Sequence, residues 1–270
     1  MKICVVHVNC EELSRDYAKL VEQNLDRVKR KDTEIVHKYV AHLRRASDTV
    51  LAFPILLNKI DVIQRAVEAQ AEGADAVLVA CSGDPGVTEA RTLLDIPYVG
   101  PMEATLHLAA QFGRKIGVVT ALDPSWAEYC ETMVHQAGLA SRFAGVESID
   151  IPSPIAFTEG FANPAPVRDA MIRAAKKLVA RGANVIVLGS AGLSVMASNT
   201  GLAEVPDTGV PIFDAISVGL KFAEMRVDLT KAFNLPVVSR IGMFEKMDEK
   251  NRKRLVKLFE LGWDADSQAS

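Results

Sequence analysis

The stretch Ala76 to Pro85 reads AVLVACSGDP, and the fold turns on it. Five apolar residues run up to Cys81, and then Ser82, Gly83, Asp84 and Pro85 break the run. A short, Val-rich apolar run closed by turn formers is the pattern of a strand covered on both faces, as in parallel sheets. Helical spacing returns over Val87 to Leu94, with Pro85 where prolines fit near a helix start. Cys81 therefore stands at the passage from a buried strand to a helix, where α/β folds bind ligands. N–H groups at such a helix start would favour a thiolate. The competing reading is an inert thiol, because free Cys is among the most buried residue types.

The stretch has a second copy. Ala71 to Gly83 reads AEGADAVLVACSG, and Ala180 to Gly192 reads ARGANVIVLGSAG. Aligned without a gap, Gly73 falls on Gly182, Ala74 on Ala183, Val77 on Ile186, Gly83 on Gly192, and Cys81 on Ser190. KICVV from Lys2 is echoed by KIGVV from Lys115, and Ile96-Pro97-Tyr98 by Val210-Pro211-Ile212. The pattern is a duplication of one α/β half rather than a short solenoid period. If the halves face each other, Cys81 and Ser190 stand on the two sides of one cleft.

Composition narrows the class. At 270 residues, 49% hydrophobic and 24% charged, the chain suits one or two ordinary globular domains. A net charge of −3 and the lack of long basic runs argue against a nucleic-acid partner. No apolar run reaches membrane-spanning length, so no membrane partner is expected. The N-terminal KICVVHVNC fits a first strand better than a signal peptide. Cys4, Cys10, Cys81 and Cys130 have no disulfide-framework or zinc-ribbon spacing, which suggests reduced thiols and a cytoplasmic protein. Strand alternation puts His7 on the opposite face from Cys4 and Cys10, so no metal site is expected there, and His7 reads as a satisfied core histidine. Gly83 to Gly86 lacks any phosphate-loop spacing, so no nucleotide is expected.

Strands are expected at Ile3–Val8, Glu34–Val40, Ala76–Ala80, Tyr98–Val99, Ile116–Thr120, Gly145–Ile151, Val185–Leu188 and Ile212–Phe213. Helices fit Glu12–Val28, Lys59–Glu72, Thr88–Leu94, Glu103–Phe112, Ser125–Ala137, Val167–Val179 and a segment ending at Met225. Ala41–Phe53 reads as a loop near the cleft mouth, and Pro152–Pro166 as a surface connection with four prolines. A charged helix around Glu245–Leu261 and a fraying DADSQAS tail close the chain. Alternating strands and helices give an α/β fold of two pseudo-symmetric flavodoxin-like domains, each with a roughly four-stranded parallel sheet flanked by helices. The expected division is residues 1–112 plus 214–270 as the first domain and 113–213 as the second, with the cleft between.

ACSGDPG with the following VTEAR, then IPYVGPMEA, VIVLGSAG and VPIFDA, resembles the Asp/Glu/hydantoin racemase superfamily over roughly residues 1–225. GDPG after the cysteine is most similar to its hydantoin racemase branch. The resemblance implies two α/β domains, no cofactor, and one cysteine from each domain facing the stereocentre. One thiolate removes the Cα proton, and the other thiol delivers a proton to the opposite face. Cys81 matches the first catalytic cysteine. Asn9 matches a substrate-contacting Asn, set between Val8 and Cys10 rather than in the usual Pro-Asn-Ser/Thr surroundings, and Cys10 joins the substrate-binding set. Thr120 matches a ligand-contacting polar residue. The turns Ser82-Gly83 and Ala191-Gly192 would offer N–H groups to a carboxylate or enolate oxygen.

Ser190 departs from the pattern, because it stands where the second cysteine belongs. A thiol titrates near pH 8.5 and falls to about 4–7 beside a helix start, whereas an alkyl hydroxyl has no comparable anion without an adjacent base. Three readings stay open: a racemase with Ser190 as a weak second catalytic group, a single-cysteine relative resembling arylmalonate decarboxylase or maleate isomerase, or an engineered Cys-to-Ser replacement. A non-catalytic protein that binds a small acid is the reading from another class. The expected partner is a small molecule, a hydantoin or small carboxylate. The chain is also expected to be a homo-oligomer, with Leu255, Val256, Leu258 and Phe259 packing either on a second subunit or on its own first lobe.

Overall fold

The computed structural model describes residues 1–44, 46–261 and 263, so the DADSQAS tail lies outside the described residues. The chain builds two parallel sheets of matching strand order. The first half runs β1 (Lys2–His7), α1 (Glu11–Val28), β2 (Glu34–Tyr39), α2 (Ala52–Ala71), β3 (Ala76–Val79), α3 (Val87–Arg91), β4 (Tyr98–Val99) and α4 (Pro101–Phe112). Its sheet order is β2-β1-β3-β4, with all pairs parallel.

The second half repeats the scheme with β5 (Ile116–Thr120), α5 (Pro124–Gln136), β6 (Phe143–Ser148), α6 (Ser153–Ala156), α7 (Glu159–Ala162), α8 (Ala165–Ala180), β7 (Val185–Leu188) and α9 (Ala191–Asn199). Then come β8 (Glu204–Val205), β9 (Val210–Phe213), α10 (Ala215–Phe233) and α11 (Glu249–Leu258). Its order, β6-β5-β7-β9-β8, corresponds position for position, apart from the added edge strand β8, which pairs antiparallel with β9. Among the described residues, no helix is long and apolar enough to cross a membrane.

The central strands β3, β5 and β7 are buried from end to end and β1 from Ile3 onward, which is why they read as mostly continuous apolar runs rather than alternations. Two helices tie the sheets together. Met102, Leu106 and Ala109 of α4 pack against Ile116, Val118, Val185 and Val187 of the second sheet. Ala191 and Val195 of α9 pack with Ile3, Val5 and Leu78 of the first. Helix α10 then lies across β3, α4 and α1.

Four expectations are revised. Helix α2 begins at Ala52 rather than Lys59, because Pro54 falls in a first turn whose N–H groups have no intrahelical partner anyway. Helix α3 ends at Arg91, three residues early. The proline-rich connection contains the short helices α6 and α7. Strand β8, two residues long, is too short to leave a periodic signal. At the C-terminus, Arg240 donates to the carbonyls of Arg91 and Leu94, and the Met247 N–H to Thr92 O at 3.1 Å. This segment therefore lies against the end of α3 and the loop after it in the chain's own first half, with Val256 buried and Leu258 and Phe259 in solvent.

Gly219 measures how tightly α10 is seated. A Cβ there would lie 2.6 Å from Leu78 Cδ1 and 3.2 Å from the Pro101 Cα. Helix propensity favours Ala over Gly by roughly 1 kcal/mol, but overpacking against backbone costs about 1–3 kcal/mol. Gly219→Ala should therefore lower the unfolding free energy, read as a reduced urea midpoint at unchanged m-value. A raised midpoint would show that α10 has slack over β3.

Candidate functional site

Strand β3 ends at Val79, and Tyr17 OH donates to Ala80 O at 3.0 Å just before the half-buried Cys81. The chain then makes a turn of its own. Gly83 N–H points at Cys81 Sγ (3.4 Å), and Asp84 N–H donates to Cys81 O (3.1 Å). Helix α3 begins only at Val87, after Gly86 at φ 75°. Cys81 thus lacks the helix start expected from the sequence and has one N–H facing its sulfur. Burial wins, and with a smaller push from Asp84 it raises the thiol to about 12. Burial thus favours the neutral thiol over the thiolate.

Trp126 and Tyr129, on the first turns of α5, reach this turn from the second sheet. A Cβ at Gly83 would lie 2.8 Å from the Trp126 ring, so only glycine lets the two meet. Trp126 Nε1–H donates to Gly189 O (2.9 Å), one residue before Ser190. A single indole therefore spans the distance between the two strand ends. Tyr129 stacks on it at 5.3 Å between centroids, and its hydroxyl donates to Gly83 O at 3.1 Å.

Around Cys81 these residues line a narrow recess that opens to solvent. Val8, Ile55, Pro85 and Trp126 give it apolar walls, with polar groups from Thr49, Asn58 and Tyr129. Asn58 Nδ2 donates to Val8 O (2.9 Å), which fixes the amide's orientation and leaves its buried Oδ1 without a partner. Asn9 Oδ1 and Ser82 Oγ are likewise buried without partners. Among the described residues lining the recess, none is Lys or Arg.

The remaining expected residues are distributed around it. Cys81 and Gly83 line the recess; Asn9, Cys10, Ser82, Thr120, Ser190, Ala191 and Gly192 are not among its lining residues. Cys10 is buried at the N-terminus of α1. Thr120 is fully buried, and its Oγ1 faces Cys130 Sγ at 3.7 Å. Ser190 is the N-cap of α9, although its side chain caps no N–H. Ala191 opens α9, and a Cβ on Gly192 would collide with the Phe157 ring at 2.6 Å.

His7 is wholly buried, and its Nε2 shares a hydrogen bond with His37 Nδ1 at 2.9 Å. Its Nδ1 is unpartnered, so it is only half satisfied, and burial holds its pKa down to about 3.

Asn58, Trp126 and Tyr129 were missed in the sequence. One signal was available: Trp126 and Tyr129 sit three residues apart just past the C-terminal end of β5, the side of a parallel sheet where ligands bind.

Comparison with known proteins fits this architecture. The family model described as Asp/Glu/hydantoin racemase matches residues 17–223. A hydantoin racemase from Pseudomonas sp. (strain NS671) is 30% identical over 236 residues, covering 86% of this chain and 88% of the relative. The solved allantoin racemase from Klebsiella pneumoniae superposes with a TM-score of 0.75 at 25% identity, covering 92% of this chain and 94% of that one. The allantoin racemase from Pseudomonas fluorescens gives a TM-score of 0.73 at 26% identity, with 92% and 97% covered.

Asp84 secures the turn from behind. Its carboxylate accepts the N–H groups of Met102 (2.9 Å) and Glu103 (2.6 Å) at the start of α4, and it holds φ 46°. Burial nevertheless raises its pKa from 3.8 to about 7. The folded form keeps the proton to near pH 7 while the unfolded chain releases it near 3.8, so this contribution favours folding at low pH and is lost as pH rises through 7. Over that window it amounts to on the order of 4 kcal/mol. Asp84→Asn should flatten the decline in melting temperature between pH 5 and pH 8; an unchanged slope would assign that decline to other groups.

Proposed function

The chain belongs to the Asp/Glu/hydantoin racemase family, and we propose that Cys81 moves a proton at the carbon beside a carbonyl of a hydantoin-class ring. It is an isomerase of the racemase type. The observation that carries the substrate class is the recess itself, lined by Cys81 and by Asn58, whose Oδ1 is unpartnered, with no cation among its described lining residues. A ring N–H can satisfy that acceptor, while aspartate or glutamate would bring a carboxylate that needs donors or positive charge. The apolar walls suit the ring and its substituent. On this reading the recess lies between a lobe of residues 1–112 plus 214–270 and one of 113–213.

The step is general base catalysis. Cys81 gives its proton to solvent at the open recess, the thiolate takes the Cα hydrogen as a proton, and the C–H electron pair moves into the ring carbonyl. Ser190 holds the position equivalent to Cys81 in the second half, without a thiol's acidity. A second reading follows from that substitution: one-sided chemistry of the decarboxylase or cis–trans isomerase kind, which needs only Cys81.

A panel of 5-substituted hydantoins, allantoin, aspartate, glutamate and substituted malonates in deuterium oxide separates the two. Cα exchange and racemisation of hydantoins, abolished by Cys81→Ser, is the result expected. Carbon dioxide release from malonates without ring exchange would favour the second reading. The groups facing Cys81 are Asp84 on its own turn, Tyr17 on α1, Tyr98 on β4, and Tyr129 and Cys130 on α5. Because burial raises the Cys81 thiol to about 12, exchange should quicken about tenfold per pH unit between pH 7 and 10. A profile already flat at pH 7 would show a thiolate in the resting protein.

A further inference from the structure

We infer that Tyr129 is the second acid–base group, the phenol that exchanges a proton with the face of the stereocentre opposite Cys81. The inference rests on the reading of Cys81 as the first such group. Interconverting two enantiomers requires a donor and an acceptor on opposite sides of a planar intermediate, and Ser190 is a poor candidate for the second. It does not line the recess, and an alkyl hydroxyl gives up its proton far less readily than a thiol or phenol.

Tyr129 lines the recess with Cys81 but comes from α5, over the second sheet, whereas Cys81 ends a strand of the first. Its ring is held against Trp126 at 5.3 Å, and its hydroxyl is anchored on Gly83 O at 3.1 Å, two residues from the thiol. The side chain is half-buried, and a phenol oxygen can accept a hydrogen bond while its proton is donated. Burial raises the Tyr129 phenol to about 12, as it does the Cys81 thiol, so the same desolvation acts on both. The titratable groups facing Tyr129 are Cys81, Asp84, Cys130 and Glu89.

The proton balance closes. The Cys81 thiolate forms an S–H bond as the Cα–H bond breaks, and the electron pair becomes the enolate. The Tyr129 hydroxyl turns from Gly83 O, the enolate re-forms its carbonyl as Cα takes the phenolic proton, and the O–H pair stays on the Tyr129 oxygen. The thiol–phenolate form left behind is the one that accepts the opposite enantiomer. Solvent at the open recess resets the pair.

The test uses the full chain, each enantiomer of one 5-substituted hydantoin, and deuterium oxide. Racemisation is followed by polarimetry and Cα exchange by NMR. Tyr129→Phe should lower racemisation by roughly 10²–10⁴-fold while the enantiomer whose hydrogen faces Cys81 still exchanges within a few-fold of the unaltered rate. Ser190→Ala should change neither by more than a few-fold. Incorporating 3-fluorotyrosine at position 129 keeps the ring and its hydrogen bond but makes the phenol more acidic, so the pH profile of racemisation should shift to lower pH. Equal loss of exchange and racemisation in Tyr129→Phe, with no profile shift for the fluorinated residue, would make Tyr129 structural and overturn the inference. A split between exchange and racemisation in Ser190→Ala would overturn it in favour of Ser190. Exchange that persists in Cys81→Ser, or is missing from the unaltered chain, would overturn the Cys81 reading and this inference with it.

Discussion

The two strand ends of this protein are joined by one indole. Trp126 donates to the carbonyl of Gly189 and lays its ring against Gly83, so the turn that carries Cys81 and the turn that carries Ser190 are set by a single rigid side chain. Neither glycine could be replaced without moving something. A Cβ at Gly189 would lie 2.7 Å from Val118 and 2.8 Å from Cys130 Sγ. Large planar side chains lose little entropy when fixed, which makes Trp126 and its stacked neighbour Tyr129 an economical way to define a site.

Around this point the two halves exchange cover. Helix α4 follows the first sheet in the chain but buries Met102 and Leu106 on the second, and α9 follows β7 but places Val195 among residues of the first. The recess is therefore bounded by elements whose cores are shared. Movement of one half against the other would have to break apolar contacts in both clusters. A thiol held in such surroundings is governed by desolvation, because the single N–H of Gly83 offsets only part of the cost of burying a charge.

The duplication is geometric more than chemical. The strand orders coincide, yet only Gly189 and Ser190 separate β7 from α9, whereas β3 passes through the seven residues 80–86 before α3. The partial positive charge of a helix N-terminus therefore falls beside the serine and not beside the cysteine. The recess beside Cys81 has mainly apolar walls, and its polar lining residues are Thr49, Asn58 and Tyr129.

Much of the fold was legible in particular residues. The Val-rich runs at Ala76 and Val185, the glycines that close the helices, and the gapless match of the two halves were enough to specify buried parallel strands and their alternation with helices, while ACSGDPG, IPYVGPMEA, VIVLGSAG and VPIFDA carried the resemblance to the family. They also singled out Cys81, since a strand end is a local feature. The start of α2 was not legible, because AFPILLN reads equally as an apolar loop until its burial is known. Nor was the company Cys81 keeps. Asn58 and Tyr129 lie 23 residues before it and 48 after it, and only the packing of α2 and α5 brings them to one recess. The pKa of Cys81 belongs to tertiary structure for the same reason. Sequence supplies the thiol and one neighbouring N–H, but the desolvation that outweighs them depends on every element packed around the turn.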